Sequence, residues 1–137
     1  MIDPERLFSA FEIQTPEDDP ILNLQKTQAF KLGMFKKIIW NQKNFEKKMG
    51  KFLEMMPEIA QNIDTDKDAG EFVTHTRAWT YIKDFTPESE QGKDALKIFS
   101  DSYTLTAFDL SIHFWEEREH YEKCAHLKKI KDLLKIT

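Results

Sequence analysis

The sequence predicts an all-α protein, a bundle of four to five helices built around one long amphipathic helix at about residues 20–56. Three observations carry this expectation. Only four glycines and five prolines occur in 137 residues, too few for a turn-dense all-β fold. Apolar residues between Pro20 and Pro57 recur at heptad-like spacing, the signature of a helix with one buried seam. A content of 40% hydrophobic and 32% charged residues suits a globular chain, and at this length one domain, residues 1–137, buries enough surface to fold without a staple. The single cysteine, Cys124, excludes an internal disulfide and any Cys-x-x-Cys zinc site. No basic-then-apolar leader is legible at Met1–Arg6, and no run approaches the roughly 18 apolar residues of a membrane helix. The expectation is therefore a cytoplasmic protein with no membrane contact.

Taken in order, Asp3-Pro4 is an N-cap followed by a first-turn proline. It predicts a short helix within residues 1–13, over about Pro4–Glu12, with Leu7, Phe8 and Phe11 on one side. Residues 14–19 read as an acidic linker. Asp19-Pro20 repeats the start signal and Pro57 is the next hard stop. Between them Leu24, Phe35, Ile38, Phe45, Met49, Phe52 and Met56 hold the heptad positions, with Gln28, Lys31 and Gln42 filling the gaps. Gly33 and Gly50 each cost such a helix about 1 kcal/mol and are the places where it is expected to bend or break.

Asp64–Gly70 reads as a polar connection whose last aspartate caps the next helix. From there to Phe85, Phe72, Trp79 and Ile82 keep a helical period, although Val73, Thr74, Thr76, Thr80 and Tyr81 favour strand. Helix is the expectation. Thr86-Pro87 is a third start signal, and Leu96, Phe99, Tyr103, Leu110 and Phe114 stay in helical register up to about Glu119, although Tyr103–Phe108 also alternates like a strand. A tight turn at Glu119-His120 then leads into a last helix carrying Tyr121, Cys124, Ala125, Leu127, Ile130 and Leu133, with lysines near its negative end.

The chemistry pass excludes more than it finds. The four glycines are isolated, so no P-loop or Gly-x-Gly-x-x-Gly cradle is present. No Gly-x-Ser-x-Gly elbow or kinase signature occurs. No catalytic residue, cofactor or metal ligand is therefore assigned. Asp64-Thr65-Asp66-Lys67-Asp68-Ala69-Gly70 begins like an EF-hand loop, but glycine falls one place late and His75 stands where the bidentate carboxylate belongs. Glu117-Arg118-Glu119-His120 has the Glu-x-x-His spacing of di-iron bundles, without the second copy such a centre needs. His75, His113 and His120 have no partner fixed by spacing for acid–base work.

Charge is segregated along the chain. Residues 1–20 set six acids against Arg6, residues 26–51 set eight lysines against Glu46, and residues 54–71 set six acids against Lys67. At 100° per residue, Lys36, Lys43, Lys47 and Lys51 share one narrow arc of the long helix and Trp40 sits within it. These five residues form the candidate binding site. An aromatic among cations fits stacking on an unpaired base beside phosphates. It equally fits an anchor residue of a protein interface, or a side chain covered by a neighbouring helix while lysine stems lie along it.

The stretch Tyr121-Glu122-Lys123-Cys124-Ala125-His126-Leu127-Lys128-Lys129-Ile130, within Ala107–Leu134, is similar to helical-hairpin interaction motifs of the UVR type and, less closely, to tetratricopeptide units. One copy does not make a repeat array. The resemblance implies contact with another protein. The functional expectation is thus a non-enzymatic protein–protein interaction module, an adaptor, regulator or assembly factor, with a protein partner or a homodimer along the long helix. The alternative is a single-stranded nucleic-acid-binding accessory protein using the Lys/Trp40 face.

Overall fold

A computed structural model describes residues 27–60 and 67–137. They form six helices: α1 (Gln28–Met55), α2 (Pro57–Ala60), α3 (Lys67–Ile82), α4 (Glu90–Ile98), α5 (Ser102–Glu117) and α6 (Tyr121–Ile136). The chain is all-α among the described residues. Residues 72–82 and 102–108 are helical despite their local leaning to strand, because one face of each is buried against other helices and packing overrides propensity. The expected helix within 1–13 and the linker 14–19 lie outside the described residues, as does most of the EF-hand-like segment.

α1 is the spine, but it starts later than Asp19-Pro20 suggested. Thr27 is extended (φ −69°, ψ 148°) and its hydroxyl accepts the Phe30 N–H at 3.2 Å, which satisfies one of the free donors of the first turn. The helix runs without a break through Gly33 and Gly50 to Met55, where the Met56 N–H closes on the Phe52 carbonyl at 3.1 Å before Pro57. Gly33 does not break it. A Cβ there would stand 3.0 Å from the Phe99 ring, so the glycine lets Phe99 close over the spine.

Three further starts differ from the local signals. α3 begins at Lys67, placing Asp68 inside its first turn rather than at its cap. α4 begins after Ser89, whose hydroxyl accepts the Gly92 N–H at 2.9 Å and donates to the Thr86 carbonyl at 2.8 Å. The continuous register expected from Thr86 to Glu119 is interrupted between α4 and α5. α4 closes at Phe99, whose N–H returns to the Ala95 carbonyl at 3.0 Å, and Asp101 accepts the Thr104 N–H at 2.8 Å and the Thr104 hydroxyl at 2.6 Å, capping α5. The turn at Glu119-His120 is present: Glu119 is left-handed (φ 60°), and its N–H and that of His120 return to the carbonyls of Glu116 and Trp115 at 3.0 Å each.

α1 packs against α3, α4 and α5, while α6 packs on α5 and α4. The core is correspondingly built from Leu32, Phe35, Ile38 and Ile39 of α1, Ala78 and Ile82 of α3, Ala95 and Leu96 of α4, and the facing sides of the α5–α6 hairpin. Phe35 and Phe108 meet at 4.5 Å between ring centroids. Burying such a ring contributes about 1.5–3 kcal/mol. Among the described residues no helix is long and apolar enough to cross a membrane.

Candidate interaction surface

The first half of α1 is core and the second half is not. Phe30 meets Tyr81 at 6.0 Å, and the Thr74 hydroxyl donates to the Gln42 side-chain oxygen at 3.1 Å, so α3 runs antiparallel to α1. Gly70 lies across from Gln42, and α3 begins only three residues earlier. α1 continues past this point. Phe45, Met49, Phe52 and Met56 fall within an arc of about 60° at the azimuth of buried Ile38. The seam that is sealed at Ile38 is therefore open at Phe45 (59% exposed), Phe52 (41%) and Met56 (45%). Met55 and Ile59 extend this apolar end, and Phe72 and Val73 of α3 are exposed as well.

A basic face lies on the opposite side of α1 from this ridge, and it divides the five candidate residues into two groups. Lys36 is committed to the fold. Its ammonium pairs with Asp101 at 2.7 Å and lies 5.7 Å from the Phe99 ring centre. The Lys36 ammonium and the Thr104 donors hold the Asp101 carboxyl down to about 2. Trp40 is half-buried rather than free-standing: its indole N–H donates to the Tyr103 carbonyl at 2.8 Å, and the two rings meet edge-on at 5.2 Å. Lys43, Lys47 and Lys51 are exposed and make no ion pair or hydrogen bond with any described residue; Lys37 and Lys48 are in the same state.

Trp40, Lys36, Lys37, Asn41, Asn44 and Tyr103 line an open groove of about 410 Å³. Lys43 and Lys47 share a second hollow with Trp40, Asn44 and Glu46, and Lys51 lies one turn beyond. Tyr103, 60% exposed, joins this face from α5, a neighbour that helical spacing within α1 has no means of showing.

A smaller polar hollow of about 130 Å³ lies between α1, α3 and α5, lined by Glu46, Glu71, His75, His113 and Glu117 among others. His75 is buried, stacked on Phe114 at 4.2 Å, with Nδ1 3.4 Å from the Ser111 hydroxyl. Burial, with the Arg118 cation as a second cause, lowers its pKa to about 4, so the ring is neutral at pH 7. Ser111 is 1% exposed, which closes this pair to a substrate. Glu117 turns to His113 at 3.0 Å rather than to His120, which packs edge-on to Trp115 at 5.0 Å. Among the described residues no three His, Cys, Asp or Glu side chains converge as a metal site would need. Cys124 is buried against the Ile112 carbonyl, and burial raises its thiol pKa.

No family model, curated protein or solved structure matches the chain. The ridge and the basic face are thus read from their own chemistry. The α5–α6 pair does have the hairpin form implied by Ala107–Leu134, with Ala107 and Cys124 in its shared core.

Proposed function

We propose that this protein is a non-enzymatic interaction module that docks a protein partner along the free end of α1. The observation that supports this is the open ridge at Phe45, Phe52 and Met56. Soluble proteins seldom leave such a contiguous apolar strip uncovered unless it binds something. A partner helix laid into it reads anchors at helical spacing, and completing the burial of each half-exposed side chain yields on the order of 1 kcal/mol. Aromatic and methionine side chains are also the types enriched at protein interfaces.

The test compares affinity capture by the wild-type chain and by a Phe45→Asp/Phe52→Asp variant that keeps its helical circular dichroism. Proteins retained by the first and lost at least about tenfold from the second, in line with the tenfold cost of about 1.4 kcal/mol, support the reading. A wild-type chain that retains nothing and is monomeric by light scattering refutes it.

The unpaired lysines beside the Trp40–Tyr103 groove favour one second reading, binding of a single-stranded nucleic acid on the opposite face of α1. Stacking plus phosphate contact makes a firm expectation. Oligonucleotide anisotropy must collapse between about 50 and 200 mM salt and fall in Trp40→Ala; absence of binding at the lower salt removes this reading.

A further inference from the structure

We infer that the free end of α1 docks on the same end of a second copy of this chain, the two helices antiparallel and related by a two-fold axis. This rests on the reading of the ridge as a docking surface and names the partner. The charges of α1 leave the ridge clear for such a pairing. At 100° per residue, Lys43, Lys47 and Lys51 stand about 130° or more from the midline of Phe45, Met49, Phe52 and Met56. Two copies meeting on the ridge therefore keep these lysines on their outer faces, in water. Lys48 flanks the ridge by about 70°, where its stem lies along apolar surface while the ammonium reaches solvent.

The position of α3 sets the direction. Phe30 and Gln42, which meet Tyr81 and Thr74 of α3, straddle the azimuth of Ile38 by about 80° and 40°. α3 thus lies along the same seam as the ridge, just below it. A parallel copy would bring both α3 helices into the one space between the two α1 helices. An antiparallel copy sends the two bundles to opposite ends and joins only the parts of α1 that α3 leaves uncovered.

Read in that direction, the ridge is complementary to itself. Its order is Phe45, Met49, Phe52, Met56. With the two-fold axis midway between Met49 and Phe52, Phe45 of each chain meets Met56 of the other, and Met49 meets Phe52. Every layer then sets an aromatic ring against a thioether, a rigid side chain against one that adapts to it, with sulfur favoured at the ring edge. An isologous contact makes each of these pairs twice. The area is of the right order. The exposed parts of Phe45, Phe52, Met55, Met56 and Ile59 amount to roughly 500 Å² per chain, at about 200 Å² for a whole large side chain. The stems on the flanks add to this, and a standard interface takes about 800 Å² per partner. An interface at the small end of that class gives a reversible dimer on the order of micromolar affinity.

Sedimentation equilibrium of the full chain from about 1 to about 200 µM tests this. The average mass is expected to climb from one chain towards two across the range. In a Phe45→Asp/Phe52→Asp variant of unchanged helical circular dichroism, the midpoint should move up at least about tenfold. Lys43→Glu/Lys47→Glu, altered on the far face, should keep the wild-type midpoint. On a Cys124→Ser background, oxidation of Phe45→Cys mixed with Met56→Cys is expected to give the cross-linked pair, and neither protein alone should give one. A pair formed by either alone overturns the antiparallel register. A wild-type chain that stays monomeric throughout overturns the inference, and so does a dimer that survives the two aspartates. If the chain is monomeric while capture still depends on Phe45 and Phe52, only the second copy is wrong. If capture fails as well, the docking surface falls too.

Discussion

Replacing Gly92 by alanine isolates a contact between backbones. The glycine sits in the first turn of α4, and a Cβ there would stand 1.9 Å from the Thr86 carbonyl oxygen, 2.9 Å from its carbon and 3.0 Å from the Pro87 Cα. These are main-chain atoms, so no rotamer change relieves the overlap. The oxygen has to retreat by about 1.5 Å to reach an ordinary contact. It accepts the Ser89 hydroxyl at 2.8 Å, and the Thr86 N–H donates to the Gln28 side chain at 2.7 Å. Phe85 and Pro87 on either side are buried, so the loop is not free to swing away. Overpacking costs about 1–3 kcal/mol and two weakened hydrogen bonds about 1 kcal/mol each. The helix propensity of alanine returns about 1 kcal/mol. The net expectation is a loss of about 3 kcal/mol, or roughly 10 °C in Tm for a chain of this size. Gly50→Ala is the matched comparison. Nothing lies within 4 Å of its Cβ position, so the same change should stabilise by up to about 1 kcal/mol. Urea titrations followed by tryptophan emission give both midpoints at a shared slope. A Gly92→Ala protein as stable as wild type would refute the argument.

Other expectations follow from named groups. His75 has a folded-state pKa of about 4, below its ordinary 6.5. On acidification the unfolded chain takes up the proton first, so stability is full above pH 6.5 and falls by up to about 3 kcal/mol on going down to pH 4; urea midpoints across this range should slope for wild type and flatten in His75→Gln. Asp101→Ala removes the α5 cap and should cost about 1–2 kcal/mol, whereas Asp101→Asn keeps an oxygen for the Thr104 N–H and should cost less than about 1 kcal/mol, because the ion pair with Lys36 is partly exposed. The Asp101 carboxyl, held at about 2, favours the folded state above pH 3.8 and loses that effect as pH falls through 2. Cys124 should react with a disulfide reagent about a hundredfold more slowly in the folded chain than in denaturant, because the thiol is buried and its thiolate disfavoured. A rate equal in both states contradicts its burial.

The helical class and the spine are legible in the sequence because both rest on periodicity, which survives without knowledge of neighbours. Helix starts are less so. Asp19-Pro20 and Thr86-Pro87 carry strong local signals, yet the starts at Gln28, Glu90 and Ser102 are set by Thr27, Ser89 and Asp101. Short polar residues are common, and which of them caps is decided when packing fixes the backbone around it. The same limit applies to the surface. Phe35, Ile38, Phe45 and Phe52 obey one pattern, and the difference between core and ridge comes from where α3 begins. Lys36 and Lys43 look alike along α1, but Asp101, 65 residues away, claims only the first. Trp40 was legible as the aromatic of the lysine face; its tie to Tyr103 was not, since that partner is a backbone carbonyl on another helix.

The three tryptophans occupy three different seams of the bundle. Trp40 joins α1 to the start of α5 through the Tyr103 carbonyl. Trp79 of α3 stands edge-on to His126 of α6 at 5.6 Å. Trp115 of α5 is sealed in the hairpin with the Lys123 ammonium of α6 3.9 Å from its ring. Each indole thus has its own quencher or hydrogen-bond acceptor across a distinct boundary. Proteins retaining one tryptophan apiece, with phenylalanine at the other two positions, therefore make intrinsic emission a regional probe of opening: loss of the spine contact, of the α3–α6 contact and of the hairpin each acquires a separate optical signature without any attached dye.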